Sequence, residues 1–162
     1  MISLLVAMDR NRVISDGSGL PWGKSQKADL KRFRKLTEDH TIIMGSNTYK
    51  EFDQPLPNRK HIIVSHSKVR RTDAVESMTF ESALSFANHS DEEVFVIGGE
   101  QIFKLFLPYA DKTYLTMIDA SYNGSIHFPE LEELSWIVES KICYKADESN
   151  RHDYCFIDYI RS

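Results

Sequence analysis

The sequence predicts a single α/β domain, residues 1–162, with a mostly parallel central sheet of about eight strands, helices on both faces and a C-terminal antiparallel hairpin. Three observations carry that expectation. Short apolar runs alternate with amphipathic stretches along the chain, the pattern of strands and helices taken in turn. Several runs are continuously apolar rather than alternating, as in strands covered on both faces. The last two strand-like segments do alternate and flank a polar turn, as antiparallel neighbours do. A length of 162 residues suits one domain with a sizeable core.

Taken in order, Ile2 to Ala7 (ISLLVA) is nearly continuous apolar sequence and predicts a central strand. Asp9 to Lys24 is long and polar, with Gly17, Gly19 and Pro21, and predicts an irregular loop of a length that usually carries function. Ser25 is placed to N-cap a helix running to about Thr37. Thr41 to Met44 predicts a second buried strand, followed by Gly45 and a short helix near Asn47 to Phe52 that Pro55 and Pro57 end. His61 to Ser65 predicts a third strand. Phe80, Ala83, Leu84 and Ala87 recur at helical spacing. Val94 to Ile97 is a buried strand running into Gly98-Gly99, and Ile102, Phe103 and Phe106 give the next helix its apolar face. Thr113 to Ile118 predicts a further strand. Trp136 to Tyr144 and Tyr154 to Ile160 form the hairpin, joined by the polar turn at 146–152.

Composition narrows the function classes. Hydrophobic residues make up 41% and charged residues 27%, which excludes a disordered or low-complexity chain. A net charge of -4 argues against a general nucleic-acid binder, which needs a basic surface, and against a membrane-surface protein. No apolar run approaches the roughly 20 residues of a membrane span. Met1 to Met8 lacks a basic n-region and a small-residue cleavage site, so no secretory signal is expected. The two cysteines, Cys143 and Cys155, form neither a disulfide framework nor a zinc set, which predicts a reduced, cytoplasmic, metal-free protein. No exposed apolar stripe stands out, so a monomer is expected.

Several residues could carry chemistry. Asp29, Phe33 and Leu36 share one helical face. A carboxylate on an apolar stripe costs free energy unless it is paired or serves a ligand, although an acidic residue in the first helical turn is also what the helix dipole favours. Gly98-Gly99 joins a buried strand to a helix, and Gly45 does the same before Ser46, Asn47 and Thr48. Such junctions let backbone approach a phosphate, and two of them at the C-terminal ends of parallel strands suit a dinucleotide. Either junction alone is also an ordinary tight turn. Arg59, just before a strand, is either a solvated cation or a fork for a carboxylate. Trp22, in Leu20-Pro21-Trp22, either anchors its loop or closes a pocket. No two histidines are spaced as a metal pair, and His40, His89 and His152 read as surface loop residues. Asp91-Glu92-Glu93 and Arg70-Arg71 read as solvated turns.

Taken as an ordered set, ISLLVAMDRNRVI, LPW, ADLKRF, IIMGSNTY, PLPNR, VIGGEQIF, LTMID, HFP and HDYCF resemble dihydrofolate reductase of the bacterial, monomeric chromosomal type. The resemblance covers nearly the whole chain. It implies NADPH-dependent reduction of 7,8-dihydrofolate to tetrahydrofolate, in support of one-carbon metabolism, and binding of antifolates of the pteridine or diaminopyrimidine type. It implies that Asp29 hydrogen-bonds the pterin ring with support from Thr116, and that Trp22 holds an ordered water and the mobile loop. Leu5, Val6, Leu30, Phe33, Phe52 and Ile97 would line the substrate pocket, and Arg59 would bind the glutamate α-carboxylate. Ala7, Ile14, Gly45, Ser46, Asn47, Thr48, Ser65 and His66 would hold NADPH, together with Ile97, Gly98, Gly99, Glu100, Gln101, Ile102 and Phe103. It also implies a cis peptide between Gly98 and Gly99.

The sequence departs from that pattern at four places. Asp29 follows Trp22 by seven positions where bacterial members usually have five, so the joint within Gly23 to Lys27 must differ. Ser46 stands where an arginine normally meets the adenosine 2′-phosphate, which leaves His66, Lys68 and the Ser65 hydroxyl to serve it. Ser15 replaces a glycine of the mobile loop, and Phe103 replaces a frequent tyrosine near the nicotinamide. Two other readings keep parts of this pattern. A pyrimidine reductase of riboflavin synthesis shares the architecture, though Asp29 and Arg59 favour folate. A non-catalytic pterin or nucleotide binder is left open by Ser46.

Overall fold

The computed structural model describes residues 1–67 and 72–162. Lys68 and the Arg70-Arg71 pair lie outside the described residues. The strands are β1 (Ile2–Met8), β2 (Val13–Ser15), β3 (Thr41–Gly45), β4 (Lys60–Val64), β5 (Val75–Met78), β6 (Val94–Val96), β7 (Lys112–Ile118), β8 (Ile126–His127), β9 (Trp136–Tyr144) and β10 (Tyr154–Arg161). The helices are α1 (Lys27–Thr37), α2 (Ser46–Lys50), α3 (Phe80–His89) and α4 (Glu100–Phe106), the last running into a 3-10 turn at Leu107–Tyr109. Eight strands form one mixed sheet in the order β5-β4-β3-β6-β1-β7-β10-β9, while β2 and β8 pair separately. The mostly parallel sheet with its C-terminal antiparallel pair is as expected. No helix among the described residues is long and apolar enough to cross a membrane.

The chain divides into two compact units. The first comprises Met1–Leu4 and Thr37–Asp111. There β3 pairs in parallel with β4 and β6, and β6 with Ile2–Leu4 of β1. The continuously apolar runs fill this core, with Leu4, Ile42, Ile43, Met44, Ile62, Ile63 and Phe95 fully buried. Each such side chain contributes about 1.5–3 kcal/mol on burial. Helix α3 starts where Thr79 accepts a hydrogen bond from the Ser82 N–H, and Ala83 and Ala87 form its buried face. The spacing did not anticipate β5, a four-residue strand beside β4 with only Val75 buried.

The second unit comprises Leu5–Leu36 and Lys112–Ser162. Strand β10 pairs antiparallel with β7 on one side and β9 on the other. The loop after β1 is not wholly irregular, because β2 pairs with β8. Ser25 does not cap α1: its hydroxyl donates to the Trp22 carbonyl at 2.7 Å. The first turn of α1 is instead satisfied by the β9–β10 turn. Ser149 O accepts from Lys27 N at 3.1 Å and Asn150 Oδ1 from Ala28 N at 2.9 Å. Gln26 locks the same joint, its Oε1 accepting from His152 N and its Nε2 donating to His152 O. These hydrogen bonds all involve the longer segment between Trp22 and Asp29.

Other expectations need correcting. Cys143 and Cys155 are not reduced thiols but a disulfide, because the hairpin register places them opposite each other. His40 is half-buried and lies edge-on to Phe95 at 5.4 Å, and His152 is half-buried against Tyr122, so neither is a free surface residue. Glu93 is no solvated turn residue, since its carboxylate accepts from the buried Ser3 hydroxyl. An exposed apolar stripe does exist: Ile137, Ile142 and Tyr144 of the edge strand β9 are about half exposed, and their pairing with Ile160, Phe156 and Tyr154 puts them on one face.

Candidate active site

Three groups of residues bear on chemistry. The first centres on Asp29 in the opening turn of α1. Burial desolvates its carboxylate and raises its pKa above the ordinary 3.8; a hydrogen bond from Thr116 and the positive charge of Arg32 oppose that rise. Thr116 is itself buried, on β7, in register with Phe156 of β10. Trp22 is also buried and packs with Ile118, Ala120 and Tyr154, with Ala7, Leu20 and Ala28 at the edge of that cluster. Its ring therefore anchors the loop beside the start of α1. Its Nε1–H is buried without a hydrogen-bond partner among the described residues. Leu5 and Val6 are buried on β1, Ile14 on β2, and Leu30 and Phe33 are half-buried on α1.

The second group lies where the parallel strands β3 and β6 run out, at Gly45, the last residue of β3, and at Gly98, two residues past β6. Gly45 N donates to Gly98 O at 2.8 Å, so the two junctions are in direct contact. The Gly98-Gly99 peptide is cis, as the resemblance implied. Gly98 has φ +119, and a Cβ there would meet the Phe103 ring at 3.1 Å; one on Gly45 would meet Ile102 at 3.1 Å. A Cβ at Gly45 would need the Ile102 side chain to give by a few tenths of an ångström, and at Gly98 the positive φ itself strains any larger residue. The Thr48 hydroxyl faces both paired glycines, 3.8 Å from where their Cβ atoms would stand. Ile97 N donates to Ile43 O at 2.9 Å and ties the end of β6 to β3. Around this joint Ser46, Ser65 and Glu100 are half-buried, while Asn47, His66 and Gln101 are exposed. The set offers hydroxyls, an amide and backbone N–H groups, the donors a phosphorylated dinucleotide needs.

The third group holds Arg59. Its Nε donates to Thr37 Oγ1 at 2.8 Å and its Nη1 to the Pro57 carbonyl, which fixes the guanidinium plane. His61, the buried second residue of β4, supports it. Its Nε2 accepts from Leu56 N at 3.0 Å, so Nδ1 carries the proton and donates to the carbonyls of Arg59 and Ala74. Burial lowers the His61 pKa, in keeping with that neutral tautomer. Phe52 lies edge-on to the same imidazole at 6.5 Å. The only signal for His61 was a polar residue opening an otherwise apolar strand.

The whole chain matches known proteins closely. Residues 1–161 match the family model described as dihydrofolate reductase. The chain is 40% identical to the dihydrofolate reductase of Bacillus subtilis (strain 168), over 98% of this chain and 94% of that protein. It is 39% identical to the dihydrofolate reductase of Haemophilus influenzae, over 98% of each. The structure is similar to dihydrofolate reductase from Enterococcus faecalis complexed with NADP(H) and RAB-propyl, with a TM-score of 0.91 at 29% identity, covering 100% of this chain and 96% of that one.

Proposed function

The chain belongs to the dihydrofolate reductase family, and from that premise we propose that it reduces 7,8-dihydrofolate to 5,6,7,8-tetrahydrofolate at the expense of NADPH, with Asp29 holding the pterin ring. The chain is an enzyme of that family, and dihydrofolate reductase activity goes with the membership; a non-catalytic binder is no longer a competing reading. The identity of the hydride donor and the roles of single residues are the finer part of the proposal.

The observation that carries it is a desolvated carboxylate, Asp29, hydrogen-bonded by a buried threonine. A pterin presents an amidine-like edge, which one carboxylate meets with two hydrogen bonds. Thr116 holds the carboxylate in place for that contact. The unpartnered Trp22 Nε1–H suits a bound water close to the ring. Arg59, its plane already set by Thr37 and Pro57, meets the glutamate α-carboxylate as a fork. The family resemblance assigns apolar contact with the substrate to Leu5, Val6, Leu30, Phe33, Phe52 and Ile97, side chains of the kind that would exclude water from the reacting ring.

The cofactor fits the residues present. Glycine at 45 and 98 keeps the two junctions open beside Ile102 and Phe103, and the Thr48 hydroxyl facing Gly98 and Gly99 is a donor for a pyrophosphate. Ala7, Ile14, Ser46, Asn47, Ser65, His66, Gly99, Glu100 and Gln101 complete the assignment by resemblance, and the relative solved with NADP(H) supports that cofactor. When bound, NADPH supplies the hydride. Reduction also consumes one proton, at the pterin nitrogen next to the carbon that accepts hydride. Water delivers it, and Asp29 favours the protonated ring electrostatically from across the pterin. Antifolates with a diaminopyrimidine or pteridine ring present the same edge to Asp29. We read the chain as one catalytic domain that serves one-carbon metabolism in the cytoplasm.

The test is loss of NADPH absorbance on adding dihydrofolate. We expect consumption that depends on dihydrofolate. Consumption only with an aminopyrimidine ribosyl phosphate would assign the chain to the pyrimidine reductases instead.

A further inference from the structure

Arg32 sits three residues after Asp29 on α1, one helical turn away on the same side. It is mostly buried, with its side chain 18% exposed. Its Nη2 donates to Asp158 Oδ1 at 2.6 Å. Its guanidinium lies over Phe156 at 4.5 Å and over Tyr114 at 5.6 Å. Phe156 is in register with Thr116, the residue that holds the Asp29 carboxylate, and Asp158 with Tyr114. The guanidinium is thus pinned on the strand pair that supports the site carboxylate. Its Nη1 is buried and has no hydrogen-bond partner among the described residues.

Such an arrangement is costly unless its field is used, because a buried guanidinium needs all its donors met. The neighbouring elements bring few competing charges. From Leu5 to Met8, β1 carries no titratable group. Strand β7 brings Tyr114, with Lys112 beyond it, 4.6 Å from that ring and bound to Glu139 of β9 at 3.3 Å. Strand β10 brings Tyr154 and Asp158, with Tyr144 of β9 stacked on Tyr154. The β9–β10 turn brings His152, engaged by the Tyr122 hydroxyl at 2.7 Å. The other cations of α1, Lys27, Lys31, Arg34 and Lys35, are exposed and screened by water. Among the described residues, Arg32 is the half-buried cation one turn from Asp29.

We propose that Arg32, locked by Asp158 and the Phe156 and Tyr114 rings, is a positioning residue that sets the proton affinity of the Asp29 carboxylate. The assignment rests on the reading of Asp29 as the pterin carboxylate, and concerns how that group is tuned. Desolvation raises the Asp29 pKa; the hydrogen bond from Thr116 and, after it, the positive charge of Arg32 oppose that rise. Asp158 moderates the effect by neutralising part of the guanidinium charge.

The test is titration of Asp29 by carboxyl-carbon NMR in the full-length protein without ligands, its resonance identified by loss in Asp29→Asn. Arg32→Gln removes the cation and should move the titration up by about half a pH unit or more. Asp158→Asn preserves shape and a hydrogen-bond acceptor, removes the counter-charge, and should move it down. Arg32→Lys keeps the charge and should leave it within about 0.3 pH unit of the parent. A role confined to packing predicts no opposed pair of shifts. Shifts of the same sign, or both below about 0.2 pH unit, overturn the proposal. If the NMR shifts are opposed but the pH profile of hydride transfer does not follow them, the Arg32 assignment stands and the catalytic reading of Asp29 falls.

Discussion

The central residue holds its charge at a cost. Because burial raises the Asp29 pKa, the folded chain binds that proton more tightly than the unfolded chain does. Stability from this group is fully present below the unfolded value of 3.8 and is lost as pH rises through the higher folded value. Asp29→Asn, which keeps an acceptor for Thr116, should therefore melt at a higher temperature than the parent at pH 7. The gain should vanish below about pH 4, where both forms are neutral. Calorimetry at the two pH values checks this, and equal melting at pH 7 would mean the carboxylate is well solvated. At Arg59 the argument is geometric. Lysine keeps the charge but cannot reach Thr37, Pro57 and a carboxylate together. Arg59→Lys should raise KM for dihydrofolate about tenfold or more while leaving a substrate analogue without the glutamate nearly unchanged, since a charge-assisted hydrogen bond is worth about 1.5–3 kcal/mol. An equal loss on both substrates would make Arg59 structural.

At the level of elements, α1 depends on a distant turn for its start. Asn150→Ala removes the acceptor of the Ala28 N–H and should cost about 0.5–2 kcal/mol, as the loss of a helix cap does. Chemical denaturation would measure it, and an unchanged midpoint would show that Ser149 O and Gln26 suffice. This dependence could not be read from the sequence. Ser25 is a good local cap, and nothing nearby signals that its hydroxyl turns back to Trp22 while a residue more than 120 positions later takes over. Long, strongly patterned elements were legible: β1 lies where the continuous apolar run from Ile2 to Ala7 puts it, and α3 and the C-terminal hairpin lie where the helical spacing of Phe80, Ala83, Leu84 and Ala87 and the alternation of the last strands put them. Strands β2, β5 and β8 are two to four residues long, too short for a period to show. The disulfide was legible yet misread. A turn at 146–152 is centred on Ser149, six residues from Cys143 and six from Cys155, so the predicted hairpin already set them opposite each other.

For the whole molecule, the order of motifs carried more than any one of them. Gly98-Gly99 or Asp29 alone had a bland reading, whereas the full series matches a family model over residues 1–161. Cofactor selectivity is where this chain departs most. With Ser46 in place of arginine, we expect NADPH to be preferred over NADH by a smaller margin than an arginine would give. Ser46→Arg should tighten NADPH roughly ten- to a hundredfold with little change for NADH, the worth of one charge-assisted hydrogen bond. Titration of both cofactors checks this, and an equal gain for each would place the 2′-phosphate elsewhere. The most direct test of the account is single-turnover hydride transfer from the enzyme–NADPH complex to dihydrofolate, in the parent and in Asp29→Asn, across pH. The account predicts a loss of roughly two or more orders of magnitude at pH 7, shrinking at low pH where solution protonates the substrate directly. Transfer by Asp29→Asn within a few-fold of the parent at pH 7 would contradict it.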